Sequence, residues 1–310
     1  MAFTSSLASG RSAVPGGARI PRILHSIAIL GAGDLAATVG RRIAEQELAR
    51  RIVLVDADES RARGKALDIA QSGPVEGFDV RIEAAASLTA AGAFDVLVVA
   101  DPPELADARV PPARASALGE SLAPAVGKRP LVVAATAASA LIEAAIRKGL
   151  SREQVMGSAP VAYVAALSRR LASELQVEPR AVSALVLGLP PDHLITPRES
   201  ACVAGVPVDR LSPIALRRAT AGLVGRSLGP VALAAAAARV LRALHGSRPS
   251  VLSLLVQLQG EYGHRGVAVA VPVRLAAGRL DSVVEVPLDP VDRVAFDTAA
   301  QRRSREAYWA

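Results

Sequence analysis

The residues Gly31-Ala32-Gly33-Asp34-Leu35-Ala36 fit the pattern G-x-G-x-x-G/A. Such a run does chemistry through its backbone. The first glycine permits a tight turn. The second lets a pyrophosphate approach the main chain, and the small last residue lets the following helix pack closely. The helix beyond offers free N–H groups and its positive dipole end to an anion. Asp56 closes the next apolar run. Its carboxylate suits the diol of an adenosine ribose and repels a 2′-phosphate, so the pattern favours NAD over NADP. Gly31, Gly33, Ala36 and Asp56 are thus the candidate cofactor residues. The alternative is a glycine-rich turn without a ligand. Gly64-Lys65 makes no phosphate loop, because Ala66 stands where Ser or Thr would hold magnesium.

Other reactive side chains are sparse. Cys202 is the single cysteine, so no internal disulfide forms, and its apolar surroundings read as core. His25, His193, His245 and His264 lack metal-ligand spacing. No metal is expected.

The elements that must position the glycine turn come next. Ile27–Leu30 reads as a strand ending at Gly31, and 35–50 as an amphipathic helix. Ile52–Val55, Val80–Ile82, Asp95–Ala100 and Leu131–Ala135 read as further strands. Wholly apolar strands separated by helices imply a parallel sheet covered on both faces. Asp101–Pro112 carries four prolines and must be a loop, leaving a strand end where doubly wound sheets bind ligands. Beyond about residue 150 the pattern changes. Pro160–Leu175, Ile214–Arg226, Val231–Leu244 and Val291–Ala307 read as helices. Val182–Leu187, Val251–Leu258, Val267–Arg274 and Leu280–Val286 read as strands, the last three antiparallel. The expected fold is α/β. A Rossmann-like doubly wound parallel sheet spans 27–150, and an α+β domain follows over 151–310. Residues 1–26 form a disordered extension, or a transit peptide given their arginines and serines and lack of acids.

The 310 residues are 51% hydrophobic and 21% charged, which excludes a globally disordered chain. The net charge is +7, yet only Lys65, Lys128 and Lys148 among 36 basic residues are lysines. Such arginine bias reads as coding composition rather than a nucleic-acid surface, and aromatics at 3% leave few stacking platforms. No apolar run is long enough to span a bilayer. A soluble cytoplasmic protein is expected, or one of an organellar matrix if the N-terminus is a transit peptide.

The stretches IAILGAGDLAATVGRRIAEQELA, IVLVDADESRARGKALDIAQSGPVEGFDV, VEPRAVSALVLG, ACVAGVPV and LQGEYGHRGVAVAVPVRL occur in one order from residue 27 onward. Together they resemble the lactate/malate dehydrogenase family, above all the bacterial malate dehydrogenases. The resemblance implies a Rossmann domain followed by an α+β catalytic domain. It also implies hydride transfer between NAD and a 2-hydroxy acid, and an oligomer. The family moves the hydroxyl proton with a histidine in a GGHGD-like motif. Here that motif is Gly188-Leu189-Pro190-Pro191-Asp192, which puts Pro190 at the histidine. The family's D-x-x-R motif supplies an orienting aspartate and a carboxylate-gripping arginine. Those positions are Tyr163 and Ala166. Its strand-end asparagine is Ala137. Arg109 and Arg114 match two arginines of the family's substrate loop, with solvated loop residues as the alternative. His193 reads as an ordinary, partly packed histidine. The resemblance therefore implies a dehydrogenase-like protein, impaired or inactive in turnover, with an NAD-binding, regulatory or scaffold role. Its partners would be a 2-keto or 2-hydroxy acid or another anion, and a second copy or a paralogue. Nucleic acid and membrane are not expected. The competing reading is an active, divergent NAD-dependent malate or 2-hydroxy acid dehydrogenase.

Overall fold

Short β-branched and leucine-rich runs that are buried on both sides have no solvent face to offer, so they become central strands of a covered sheet. The computed structural model describes residues 23–105 and 111–308. In chain order the elements begin β1 (Leu24–Leu30), α1 (Asp34–Glu45), β2 (Ala49–Val55), α2 (Glu59–Glu76), β3 (Arg81–Ala85), α3 (Leu88–Ala91) and β4 (Val96–Val99). Then come α4 (Pro112–Val126), β5 (Leu131–Val133), α5 (Ser139–Arg147), β6 (Val155–Gly157), α6 (Ala159–Leu175), β7 (Val182–Ser183), β8 (Leu187–Leu189) and β9 (His193–Ile195). The remainder is β10 (Cys202–Val203), β11 (Val206–Pro207), α7 (Val208–Leu211), α8 (Pro213–Ala221), α9 (Pro230–His245), β12 (Ser250–Gln259), β13 (Arg265–Ala276), β14 (Arg279–Val283) and α10 (Pro290–Tyr308).

The main sheet runs β3-β2-β1-β4-β5-β6-β12-β13-β8-β9, with β14 on β13. From β3 to β6 the pairings are parallel. From β6 onward they are antiparallel. Strand order reverses at β1, which lies between β2 and β4, so the crevice outside the carboxyl ends of β1 and β4 is the topological switch point. The apolar strands hold the core. Every residue of β4 and β5 is fully buried, as the sequence pattern requires. A separate cluster formed by α6, α8 and the Leu194 region packs on the far side. A small sheet, β11-β10-β7, caps this cluster.

Several sequence expectations need adjustment. Residues 1–22 lie outside the described residues, but 24–26 belong to β1 rather than to an extension. Asp95 holds them there, its Oδ2 accepting from the amides of His25 at 2.6 Å and Ser26 at 3.1 Å. The helix expected over 35–50 stops at Glu45, because Glu47 turns left-handed (φ 46°) and Ala49 already starts β2. The strand expected over Val182–Leu187 splits into β7 and β8, which join different sheets. Cys202 is half-buried on β10 rather than in the core, its thiol donating to the Glu199 carbonyl. No described helix is long and apolar enough to cross a membrane, and no described group of His, Cys, Asp or Glu could hold a metal ion.

Candidate functional site

Gly31 follows β1 with φ of 110°, a backbone that only glycine takes without strain, and its amide donates to the Val55 carbonyl at 2.8 Å. Gly33 is the N-cap of α1 and brings no side chain to the exposed amides of the first turn. Asp101 caps them instead, from the loop after β4. Its Oδ1 accepts from Gly33 N and Ala36 N, both at 3.2 Å, and its Oδ2 accepts from Leu35 N at 2.8 Å. A carboxylate there gains from both the hydrogen bonds and the helix dipole.

Asp56, at the carboxyl end of β2, is 5% exposed. Its Oδ1 accepts from Asp58 N at 3.0 Å, while its buried Oδ2 accepts no hydrogen bond. The Arg61 guanidinium stands 3.5 Å from that oxygen and donates to the Ala32 carbonyl at 3.2 Å. Arg61 therefore spans the gap between Asp56 and the glycine turn. Of the candidate cofactor residues, Gly31, Gly33 and Ala36 thus sit at one turn capped by Asp101, and Asp56 is tied to that turn through Arg61.

The fit of a dinucleotide to this crevice is mixed. A carboxylate at Asp56 suits a ribose hydroxyl, but its Oδ2 is buried and already faces the Arg61 guanidinium. The amides that would receive a pyrophosphate already hold the Asp101 carboxylate. A Cβ placed on Gly31 would lie 2.7 Å from Asp101 Oδ1, and one on Gly33 would strike the same carboxylate. The space that these glycines open is thus filled from within the chain, and the residues present do not fit the pyrophosphate.

A second cleft, of about 340 Å³, opens between the ends of β5 and β8 and the helix α10. Thr136, Ala137, Pro190, Asp192, His193 and Arg302 line it. The Pro190–Pro191 peptide is cis. His193 is half-buried, and its buried Nε2 has no hydrogen-bond partner. Tyr163 lies behind this cleft and is fully buried among Leu167, Leu171, Val186 and Leu194. Its hydroxyl donates to the Arg226 carbonyl at 2.7 Å. Burial pushes the phenol up to about 12, the Asp192 charge adds to this, and a hydrogen bond with Thr136 opposes it. Tyr163 therefore stays protonated at neutral pH and supplies no base. Ala166 is half-buried one helical turn further along α6. Arg114 is exposed in the first turn of α4, whose Pro112 and Ala115 line the cleft, and Arg109 lies outside the described residues. The sequence reading missed Asp101, although its signal matches that of Asp56: a lone acid closing an apolar strand.

The Tyr163 hydroxyl gives two expected results. Tyr163→Phe should lower unfolding free energy by about 1 kcal/mol near neutral pH, the worth of one hydrogen bond. The pH dependence should change as well. The folded phenol titrates near 12 and the free one near 10.0, so its contribution is intact below pH 10 and falls away as pH rises toward 12. Wild type should therefore lose on the order of 2–3 kcal/mol relative to Tyr163→Phe across that window. Urea titrations of both proteins at pH 8 and pH 11.5 check this, and parallel behaviour would refute it.

Comparison with known proteins agrees with this architecture. A family model described as lactate/malate dehydrogenase, NAD binding domain, matches residues 25–105. The malate dehydrogenase of Thermomicrobium roseum is 31% identical over 294 residues, covering 89% of this chain and 95% of that protein. That of Chloroherpeton thalassium is 29% identical over 293 residues, covering 88% and 94%. The solved malate dehydrogenase of Salinibacter ruber superposes with a TM-score of 0.79 at 28% identity, covering 91% of this chain and 96% of that one. The Aeropyrum pernix malate dehydrogenase, at 21% identity, shares the fold with a TM-score of 0.82 over 92% and 98% of the two chains. The Rossmann sheet, the glycine turn and these full-length similarities place the chain in the lactate/malate dehydrogenase family.

Proposed function

We propose that this chain is a member of the family without dehydrogenase turnover, acting as a regulatory or scaffold subunit with a second copy or a paralogue. The observation that carries this reading is the wall of the second cleft. Where the resemblance calls for an acid–base histidine oriented by an aspartate, the cleft presents Pro190, and behind it the buried Tyr163. Proline has no side-chain proton. Tyr163 is held protonated, and its hydroxyl is committed to the Arg226 carbonyl. General acid–base catalysis commonly contributes about a hundred- to ten-thousand-fold, and the described residues that line this cleft include no hydrogen-bonded histidine–carboxylate pair to provide it. The reading does not depend on whether NAD enters the first crevice. Self-association fits the exposure of Leu67 (56%) and Val75 (88%) on α2.

A second reading, an active divergent enzyme for a small 2-keto or 2-hydroxy acid, is favoured by one feature. His193, whose buried Nε2 has no hydrogen-bond partner, lines the same cleft as Arg302. The two readings separate in one assay, NADH oxidation with oxaloacetate, pyruvate and a panel of other 2-keto acids. The expected result is a rate indistinguishable from background. Robust turnover that His193→Ala abolishes would establish the second reading.

A further inference from the structure

We propose that Asp101 is an internal anion seated where a dinucleotide would place its pyrophosphate, so that this Rossmann crevice excludes dinucleotides. Three observations meet at one place. First, the Asp101 carboxylate takes the amides of Gly33, Leu35 and Ala36, the donors that the helix start holds out to an anion. Second, the room above Gly31 and Gly33, which a bound phosphate needs, is filled by this carboxylate and by the backbone of Asp101 and Pro102. Third, Arg61 bridges Asp56 to the Ala32 carbonyl across the neighbouring ribose position.

An incoming dinucleotide faces two obstacles. It must displace a carboxylate tethered at its seat, whose effective concentration is far above that of a free ligand. Once displaced, Asp101 remains on the adjoining loop, where its charge repels the pyrophosphate. A ligand without phosphates meets neither obstacle. The inference concerns binding and stands apart from the reading of the second cleft, because its test reads affinity and not turnover.

The test titrates the full chain with NADH, ADP and adenosine, following NADH fluorescence and the heat of binding. Wild type, Asp101→Ala, Asp101→Asn and Asp101→Ala/Arg61→Ala are compared. Asp101→Asn keeps the shape and one acceptor, and so covers the case in which Asp101→Ala does not fold. The expected result is no saturable NADH or ADP binding to wild type at millimolar ligand. Removing the charge should tighten both by at least about tenfold, the factor that one hydrogen bond to a charged group is worth. The double variant should be at least as tight. Adenosine should respond little to Asp101, because it brings no phosphate. Micromolar binding of NADH to wild type would overturn the inference. An equal gain for adenosine, or no gain for NADH and ADP in any folded variant, would overturn it too, leaving Asp101 as a helix cap alone.

Discussion

Arg303→Ala should lower the unfolding free energy by about 3–5 kcal/mol, the range found when one partner of a buried ion pair is removed. Arg303 and Glu143 are among the few charged residues buried in the protein, with side chains 4% and 5% exposed. Glu143 Oε2 accepts from Arg303 Nη2 at 2.7 Å, and its Oε1 accepts from Arg303 Nε at 3.0 Å and from Ala268 N at 2.7 Å. Arg303 Nη1 also reaches Glu306 at 3.3 Å. Burial works against the Arg303 charge, and Glu143 and Glu306 outweigh it, so the guanidinium is held above its usual range. The pair joins α5, β13 and α10 at the back of the second cleft. Deleting the arginine leaves the Glu143 carboxylate out of water with one backbone donor. Arg303→Lys should recover only part of the loss, since an ammonium cannot make the two parallel bonds. The double variant Glu143→Gln/Arg303→Ala should be more stable than Arg303→Ala, because no unpaired charge remains and Gln can still accept from Ala268. Urea unfolding of the set decides the matter. A midpoint for Arg303→Ala within error of wild type would show that the pair is solvated in solution.

Glu143 and Arg303 also show what the sequence could not display. Their partnership spans 160 residues, and each reads locally as one more charge on a helix. Asp101 is alike, since its three amide partners lie 65 to 68 positions earlier in the chain. Composition and periodicity describe neighbours along a helix or strand; the Asp101 contacts exist only once the sheet has brought β1 beside β4, and the Glu143–Arg303 pair only once α10 has packed against α5. The glycine turn, by contrast, was legible because its requirement is local: a positive φ at Gly31 and a side-chain-free approach at Gly33. The central strands were legible because burial on both faces leaves unbroken apolar runs. Strands of two or three residues, such as β6, β9 and β10, carry no period and passed unread. The resemblance drew attention to Pro190 and Tyr163. It could not tell that Tyr163 would be fully buried, with its hydroxyl already bonded to a carbonyl.

The burial of Tyr163 sharpens what a rescue of family chemistry would require. Pro190→His alone should leave NADH oxidation at background, because the new imidazole would face a phenol instead of a carboxylate to fix its tautomer. On the proposed reading, a substrate carboxylate would still meet Ala166 in place of a guanidinium, and so would lack a fixed orientation. Groups that act as a unit fail singly, so the full set Pro190→His, Tyr163→Asp, Ala166→Arg and Ala137→Asn is the rational test. Yet Tyr163→Asp should itself be severely destabilising. Tyr163 is fully buried in a cluster with Leu167, Leu171, Val186, Leu194 and Leu223. Truncating a buried aromatic typically costs about 3–5 kcal/mol, and the carboxylate that replaces it enters an apolar site close to the charge of Asp192. The Arg226 carbonyl also loses its donor. A penalty of that size is comparable to the whole stability of many domains, roughly 5–15 kcal/mol. Tyr163→Asp alone should therefore be largely unfolded, and the fourfold variant should recover structure only as far as the guanidinium introduced by Ala166→Arg neutralises the new acid. Circular dichroism and urea unfolding of Tyr163→Asp, with and without Ala166→Arg, measure this directly. A Tyr163→Asp protein as stable as wild type would mean that the cluster repacks with ease. A stable fourfold variant that oxidises NADH with oxaloacetate would show that dehydrogenase geometry survives intact beneath the substituted residues.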